Sequence, residues 1–232
     1  GTPSTAIVGV LHGSMSSRLI TYGVDRSGDG NLDAEEQSVL SDNGFGGHGQ
    51  IVPYYRPGET QARVAVLFAE YEETLNFPLM LWHDADGDGF VNEESVYLGD
   101  VYSNAMAVTM ATESQNTLVV AFDMPNGTSS DVWLWVDRNQ SFTVDDGELE
   151  LFAADAYDPT LATTDNHTYL AYLQRRPSAG NQLVLAIAEN GDLVFGVDGV
   201  YDSCSNPKVV STISDRWLVL CFSADDQIVV SY

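Results

Sequence analysis

Along this 232-residue chain the apolar residues come in short runs, alternating or continuous, rich in Val, Leu, Tyr and Trp and closed by Gly, Asn, Asp or Pro. The i, i+3, i+4 spacing of an amphipathic helix is almost absent, so the runs predict β-strands. Clear examples lie at 63–68, 117–122, 131–136 and 182–187, and seventeen or eighteen such runs fit between Thr5 and Tyr232. The pattern is that of an all-β protein.

The runs also repeat. Four times an apolar strand leads into a polar, mostly acidic segment, beginning at Asp25, Asp84, Asp137 and Asn190, with spacings of 59, 53 and 53 residues. Each repeat holds four candidate strands. In the third they are 105–113, 117–125, 131–137 and 148–155. The second strand recurs at 62–72, 168–176 and 216–224, and the fourth at 37–42, 95–100 and 193–198. Four antiparallel strands per unit of about 50 residues predict β-propeller blades. The expectation is one β-propeller domain over 1–232, about five blades, with units at approximately 4–47, 48–104, 105–156, 157–205 and 206–232. The first unit lacks its first strand and the last unit its fourth. Three-stranded blades, completion by another subunit in a homo-oligomer, and a longer parent chain all remain open. The opening Gly-Thr-Pro-Ser-Thr, without Met or a signal-like segment, reads as a mature or excised product.

Charge narrows the function. With 34 Asp+Glu against 9 Lys+Arg the formal charge is −25. A surface this negative repels phosphate backbones and anionic headgroups, which argues against nucleic-acid partners and membrane-surface binding. No apolar run reaches the ~18–20 residues of a spanning helix, so membrane insertion is not expected. Hydrophobic residues at 44% supply a core despite the charge. The acid is mostly Asp, a residue of turns, caps and metal loops, so the charge is expected in loops.

The repeated loops carry the main chemical signal. In the first, Asp25, Ser27, Asp29, Asp33 and Glu36 stand at positions 1, 3, 5, 9 and 12, with Gly30 at 6 and the carbonyl of Asn31 at 7. Alternate oxygens converge on one ion as such a loop curls, and oxygen-only ligands select calcium over zinc or copper. The second loop offers Asp84, Asp86, Asp88, the Phe90 carbonyl and Asn92. Its last ligand is ambiguous, because position 12 is Ser95 and Glu93 and Glu94 precede it; Glu94 is the candidate. The third offers Asp137, Asn139, Ser141, Asp145 and Glu148, with Phe142 in the Gly position; fewer charges predict weaker binding. Two calcium sites and a weaker third are therefore expected. The fourth copy has lost the pattern.

These loops, Asp-x-Ser-x-Asp-Gly-Asn-Leu-Asp33 and Asp-x-Asp-x-Asp-Gly-Phe-Val-Asn92, resemble the cation loops of FG-GAP/VCBS repeats, the blades of integrin-α-like propellers. The likeness covers the loops and the blade rhythm; the Phe-Gly and Gly-Ala-Pro landmarks of those repeats are missing. The resemblance implies calcium-stiffened blades in extracellular adhesion or carbohydrate-facing proteins.

No catalytic constellation stands out. His12, His48, His83 and His167 are scattered, and His83 reads as a packed strand residue. No Gly-x-Ser-x-Gly elbow occurs, and a carboxylate pair among 34 acids decides nothing. Gly44–Gly49 reads as a loop between blades. Trp133 and Trp135 share a strand face and read as core, whereas Tyr54, Tyr55, Tyr157 and Tyr201 fall at strand ends where a carbohydrate or peptide could lie. Cys204 and Cys221 are either one disulfide or two buried thiols. The expectation is a secreted or cell-surface, calcium-stabilised propeller acting as a binding, adhesion or extracellular assembly module for a protein or carbohydrate ligand, with no catalysis evident. The alternative is a lectin or glycan-processing enzyme on the same scaffold.

Overall fold

The computed structural model describes residues 20–231 except 24, 26–28, 30, 32, 42–49, 57–58, 60–62, 70–75, 87–90, 92–93, 103–107, 113–116, 177–179, 203–204, 212–216 and 223–226. The candidate strand at 6–12, Gly44–Gly49 and Cys204 lie outside the described residues, as does the Cys221 side chain. The chain divides into two compact units, 1–100 and 101–232.

The chain is all-β and its sheets are antiparallel. In the first unit, β1 (Ile20–Gly23) pairs with β2 (Gln37–Ser41) across a loop containing a single 3-10 turn, Ala34–Glu36. A four-stranded sheet follows, β3 (Gln50–Tyr54), β4 (Arg63–Ala69), β5 (Asn76–His83) and β6 (Glu94–Tyr102), adjacent in chain order. Every residue of β4 is buried, which is why it reads as a continuous apolar run instead of an alternating one. Val64, Val66 and Phe68 share one cluster, and Phe68 stacks on Trp82 at 6.4 Å between ring centroids.

The second unit repeats the plan twice in full: β7 (Val108–Thr112), β8 (Leu118–Asn126), β9 (Ser129–Val136) and β10 (Leu149–Ala153), then β11 (Ala156–Thr163), β12 (His167–Gln174), β13 (Gln182–Glu189) and β14 (Gly196–Asp202). Among the described residues the last sheet has three strands, β15 (Ser205–Ser211), β16 (Trp217–Phe222) and β17 (Gln227–Ser231). The opening strands of successive sheets are neighbours: β11 packs against β7 on one side and β15 on the other. The Val209 N–H also reaches the Thr160 hydroxyl at 3.5 Å.

Within the second unit the sheets stack face to face. Leu170 and Tyr172 of β12 join Val119, Ala121, Val132, Leu134 and Val136 in one core. Tyr169, Ala171 and Leu173, alternating with them, join Val209 and Val219 in the next. Fully burying one such side chain contributes about 1.5–3 kcal/mol, so a strand that feeds two cores is held from both sides. Trp135 is fully buried on the face away from Val132, Leu134 and Val136, in line with its reading as core.

Candidate functional site

The acidic loops at Asp84 and Asp137 join the third and fourth strands of their sheets, and the one at Asp25 joins β1 to β2. All three opening aspartates, Asp25, Asp84 and Asp137, are 1% exposed, so each loop starts from a carboxylate taken out of water. Position 12 is also buried in the first and third loops, at Glu36 and Glu148, whereas Ser95 at position 12 of the second loop is exposed. Ser27, Asp88, Phe90 and Asn92 lie outside the described residues, as does the Glu94 side chain; Asp86 is exposed. The start of the second loop is braced from its sheet. The Asp84 carbonyl accepts the Tyr54 hydroxyl at 2.8 Å and an Arg63 N–H at 3.1 Å, while Arg63 also donates to the Ala85 carbonyl and pairs with Glu59. Tyr54 is thus buried, which corrects its reading as a surface aromatic; His83, also buried, packs beside it.

The third loop is described throughout. Asp137 accepts the N–H groups of Ser141 (2.9 Å) and Phe142 (3.3 Å). Glu148 reaches back to accept those of Arg138 (3.0 Å) and, from its other oxygen, Asp145 (3.4 Å). Asp145 collects donors from positions 3, 5 and 7: Asn139 at 2.7 Å, Ser141 at 3.0 Å and Thr143 at 3.2 Å. The first loop shows matching bonds, Asp33 N–H to Glu36 at 3.1 Å and Asn31 N–H to Asp29 at 2.8 Å. Positions 4 and 6 of the third loop, Gln140 and Phe142, have φ of 57° and 55°. That left-handed region suits glycine, and the first two loops have Gly28, Gly30, Gly87 and Gly89 at those positions.

Electrostatics within the third loop are uneven. Burial pushes the Asp137 carboxyl up to about 6, opposed by the Phe142 and Ser141 N–H groups and reinforced by the charges of Glu148 and Asp145. The donors from Asn139, Ser141 and Thr143 hold Asp145 below the usual range. The donor set is oxygen only and suits a hard cation. Among the described residues, however, no three Asp, Glu, His or Cys side chains meet as a metal-binding group. The fourth copy replaces its opening Asp with Asn190, bonded to Thr168 and the Thr164 carbonyl.

The opposite end of these sheets holds a different kind of place. Strand β9 begins there and ends at the third loop, roughly 25 Å away at about 3.3 Å per residue. Three connections line a cleft of about 540 Å³: Thr128 and Ser129 from the β8–β9 hairpin, Asp155 and Tyr157 from the β10–β11 link, and Arg175, Arg176 and Asn181 from the β12–β13 connection. Asp155 is fixed in a left-handed conformation, φ 52°. Its N–H donates to Asp131 (2.8 Å), its carbonyl accepts the Arg175 N–H (2.9 Å), and its carboxylate accepts the Ser129 hydroxyl (2.7 Å). Such a conformation costs on the order of 1 kcal/mol and persists only where surrounding bonds dictate it. The β11–β12 register shifts between Tyr157 and Thr160, where Asp158 is again left-handed and Pro159 has no N–H to donate. This irregularity sets Tyr157 at the cleft, and the Arg175 guanidinium lies over its ring, 5.2 Å from the centroid. Of the four tyrosines marked in the sequence, Tyr157 is in the cleft lining; the Arg175–Arg176 doublet was a signal passed over.

No family model and no curated protein matches the chain. Solved structures do. A bifunctional GH43-CE protein of Bacteroides eggerthii is 11% identical with a TM-score of 0.42, over 78% of this chain and 24% of that one. An α-L-arabinofuranosidase from Lactobacillus brevis is 10% identical with a TM-score of 0.48, over 98% and 85%. A xylan β-1,4-xylosidase from Bacillus halodurans C-125 is 11% identical with a TM-score of 0.44, over 92% and 47%. This chain therefore spans a quarter to a half of the length of two of these proteins. Likenesses of this size assign no role to any residue here. They do correct the expected function: the proteins matched are carbohydrate-processing enzymes, and the reading as a binding, adhesion or assembly module is given up.

Proposed function

We propose that this chain is a β-propeller that processes glycans, with the sugar taken up in the cleft around Asp155 and Tyr157. The observation that carries the reading is the composition of that cleft. An aromatic ring, a fixed carboxylate, two hydroxyls, an amide and two guanidiniums converge from three connections. Sugars present hydroxyls that bond to carboxylates, amides and guanidiniums, and C–H faces that pack on rings; a concave site with a few placed polar groups suits them. Glycoside hydrolysis calls for two carboxyl groups flanking the scissile bond, and Asp155 supplies one at this cleft. The arrangement in about five four-stranded blades, the calcium in the acidic loops, and secretion belong to the same proposal. The neighbouring opening strands β7, β11 and β15 support the propeller. The buried opening aspartates and the hydrogen bonds common to the first and third loops support the calcium.

The test is a panel of aryl arabinofuranosides, aryl xylosides and plant-type polysaccharides, read by released chromophore or reducing ends, with binding measured in parallel. Turnover or binding that falls at least tenfold in Asp155→Asn supports the reading. A panel that is neither cleaved nor bound overturns it.

A further inference from the structure

We propose that the cleft selects a glycan unit bearing a carboxylate, a hexuronate, and holds that carboxylate on Arg175 and Arg176. The inference rests on the glycan reading of the same cleft and names its substrate class. In a chain of net charge −25 with nine Lys and Arg, Arg175 and Arg176 form the one adjacent pair of cations. Both line the cleft, and among the described residues neither forms an ion pair. The facing carboxylate, Asp155, already accepts the Ser129 hydroxyl and is held through its backbone by Asp131 and Arg175.

The guanidinium of Arg175 lies over the Tyr157 ring, a stacking that fixes its plane while leaving the N–H fork at its edge free to meet an oxyanion. Asn181 hydrogen-bonds the Tyr157 phenol and so steadies the ring from the third connection. A planar fork matches a carboxylate in two parallel bonds, and such charge-assisted bonds are roughly twice as strong as neutral ones. An acidic surface repels anions in general, so two guanidiniums in one concavity, neither in an ion pair among the described residues, give an acidic sugar a favourable place to dock. A neutral sugar offers the second guanidinium only hydroxyl acceptors, without the charge that strengthens the bond.

The closing experiment measures binding of three trisaccharides to the intact chain by calorimetry at fixed ionic strength: trigalacturonate, its carboxyl-reduced neutral form, and a neutral trimer carrying 6-O-sulfate. The inference expects trigalacturonate to bind at least tenfold tighter than the other two. Arg175→Ala and Arg176→Gln should each remove most of that preference. Arg175→Lys, which keeps the charge and loses the fork, should fail to restore it. Equal binding of the acidic and reduced trimers overturns the inference and leaves the glycan reading standing. Equal binding of sulfated and carboxylated trimers overturns the assignment to carboxylate. Binding of none overturns both. Unchanged preference in Arg175→Ala and Arg176→Gln, with circular dichroism unaltered, overturns the assignment to these residues.

Discussion

The two ends of the β7–β10 and β11–β14 sheets treat charge in opposite ways. At the third-loop end, the buried carboxylates of Asp137 and Glu148 and the exposed one of Asp145 are supplied with donors by their own segment, so the loop answers its charge locally. At the cleft end, Asp155 is fixed by bonds from two other connections, while Arg175 and Arg176 line the cleft and form no ion pair among the described residues. The same strands connect the two. A hairpin that satisfies itself contributes to stability; a cleft whose donors remain unspent is available for binding. Changes at the first end should therefore move the melting temperature, and changes at the second should move affinity.

The largest expected effect is at Phe142, buried in the third loop at φ 55°. Phe142→Ala loses about 3 kcal/mol of packing without relieving the backbone, and at about 2–4 °C per kcal/mol for a chain of this size the melt should fall by roughly 10 °C while glycan binding is unchanged. A loss of affinity as large as the loss of stability would erase the contrast between the ends. Next comes metal removal. EDTA should lower the melting temperature by several degrees and added calcium should restore it, since a ligand at about 100 times its Kd stabilises by about 2.7 kcal/mol. Asp29→Ala and Asp88→Ala should lose most of that response and Ser141→Ala little; a melting curve indifferent to EDTA removes the calcium proposal.

A smaller effect concerns pH. The folded Asp137 carboxyl titrates near 6 against an ordinary 3.8, so between those values the folded chain holds a proton that the unfolded chain gives up. Its contribution to stability is therefore greatest at low pH and is lost as pH rises through about 6. In EDTA, acidification from pH 7 to 5 should raise the melting temperature of the parent protein relative to Asp137→Asn. An identical slope in the two would locate the titration elsewhere. The smallest effect on the fold is expected from Arg175→Ala, an exposed change that should stay within about 0.5 kcal/mol of the parent. A melting point several degrees lower would mean that Arg175 braces the fold instead of serving the cleft.

The sheets were legible in the sequence because face-to-face packing leaves a direct trace. Strands such as β8 and β12, buried on both sides, read as largely apolar runs, and the intervening loops recur at spacings of 59, 53 and 53 residues. The points where strands give way to the acidic loops, at Asp25, Asp84 and Asp137, were also legible. What could not be read was the backbone of Gln140 and Phe142, since neither residue type signals a left-handed conformation. The cleft was harder still. Tyr157 could be marked from its place at a strand end. Asp155 and Ser129, however, are 26 residues apart and meet only because β9 and β10 run antiparallel between them. The arginine doublet was visible, but nothing in the local pattern shows that it would face a concavity. Adhesion was inferred from the loops, and a loop's own bonds carry no information about a ligand elsewhere on the chain.

Strand β12, with alternate side chains in two cores, also bears on how such a chain can change length. A sheet whose two faces are both committed cannot be trimmed by half, because either cut strands a neighbour's apolar face in water. Growth and loss are therefore quantised: a whole four-stranded sheet, with the connections at both its ends, is the smallest unit that can be inserted or deleted with both adjoining surfaces still covered. Each such step would also renew the cleft end, adding a fresh set of connections from which new specificities could be drawn.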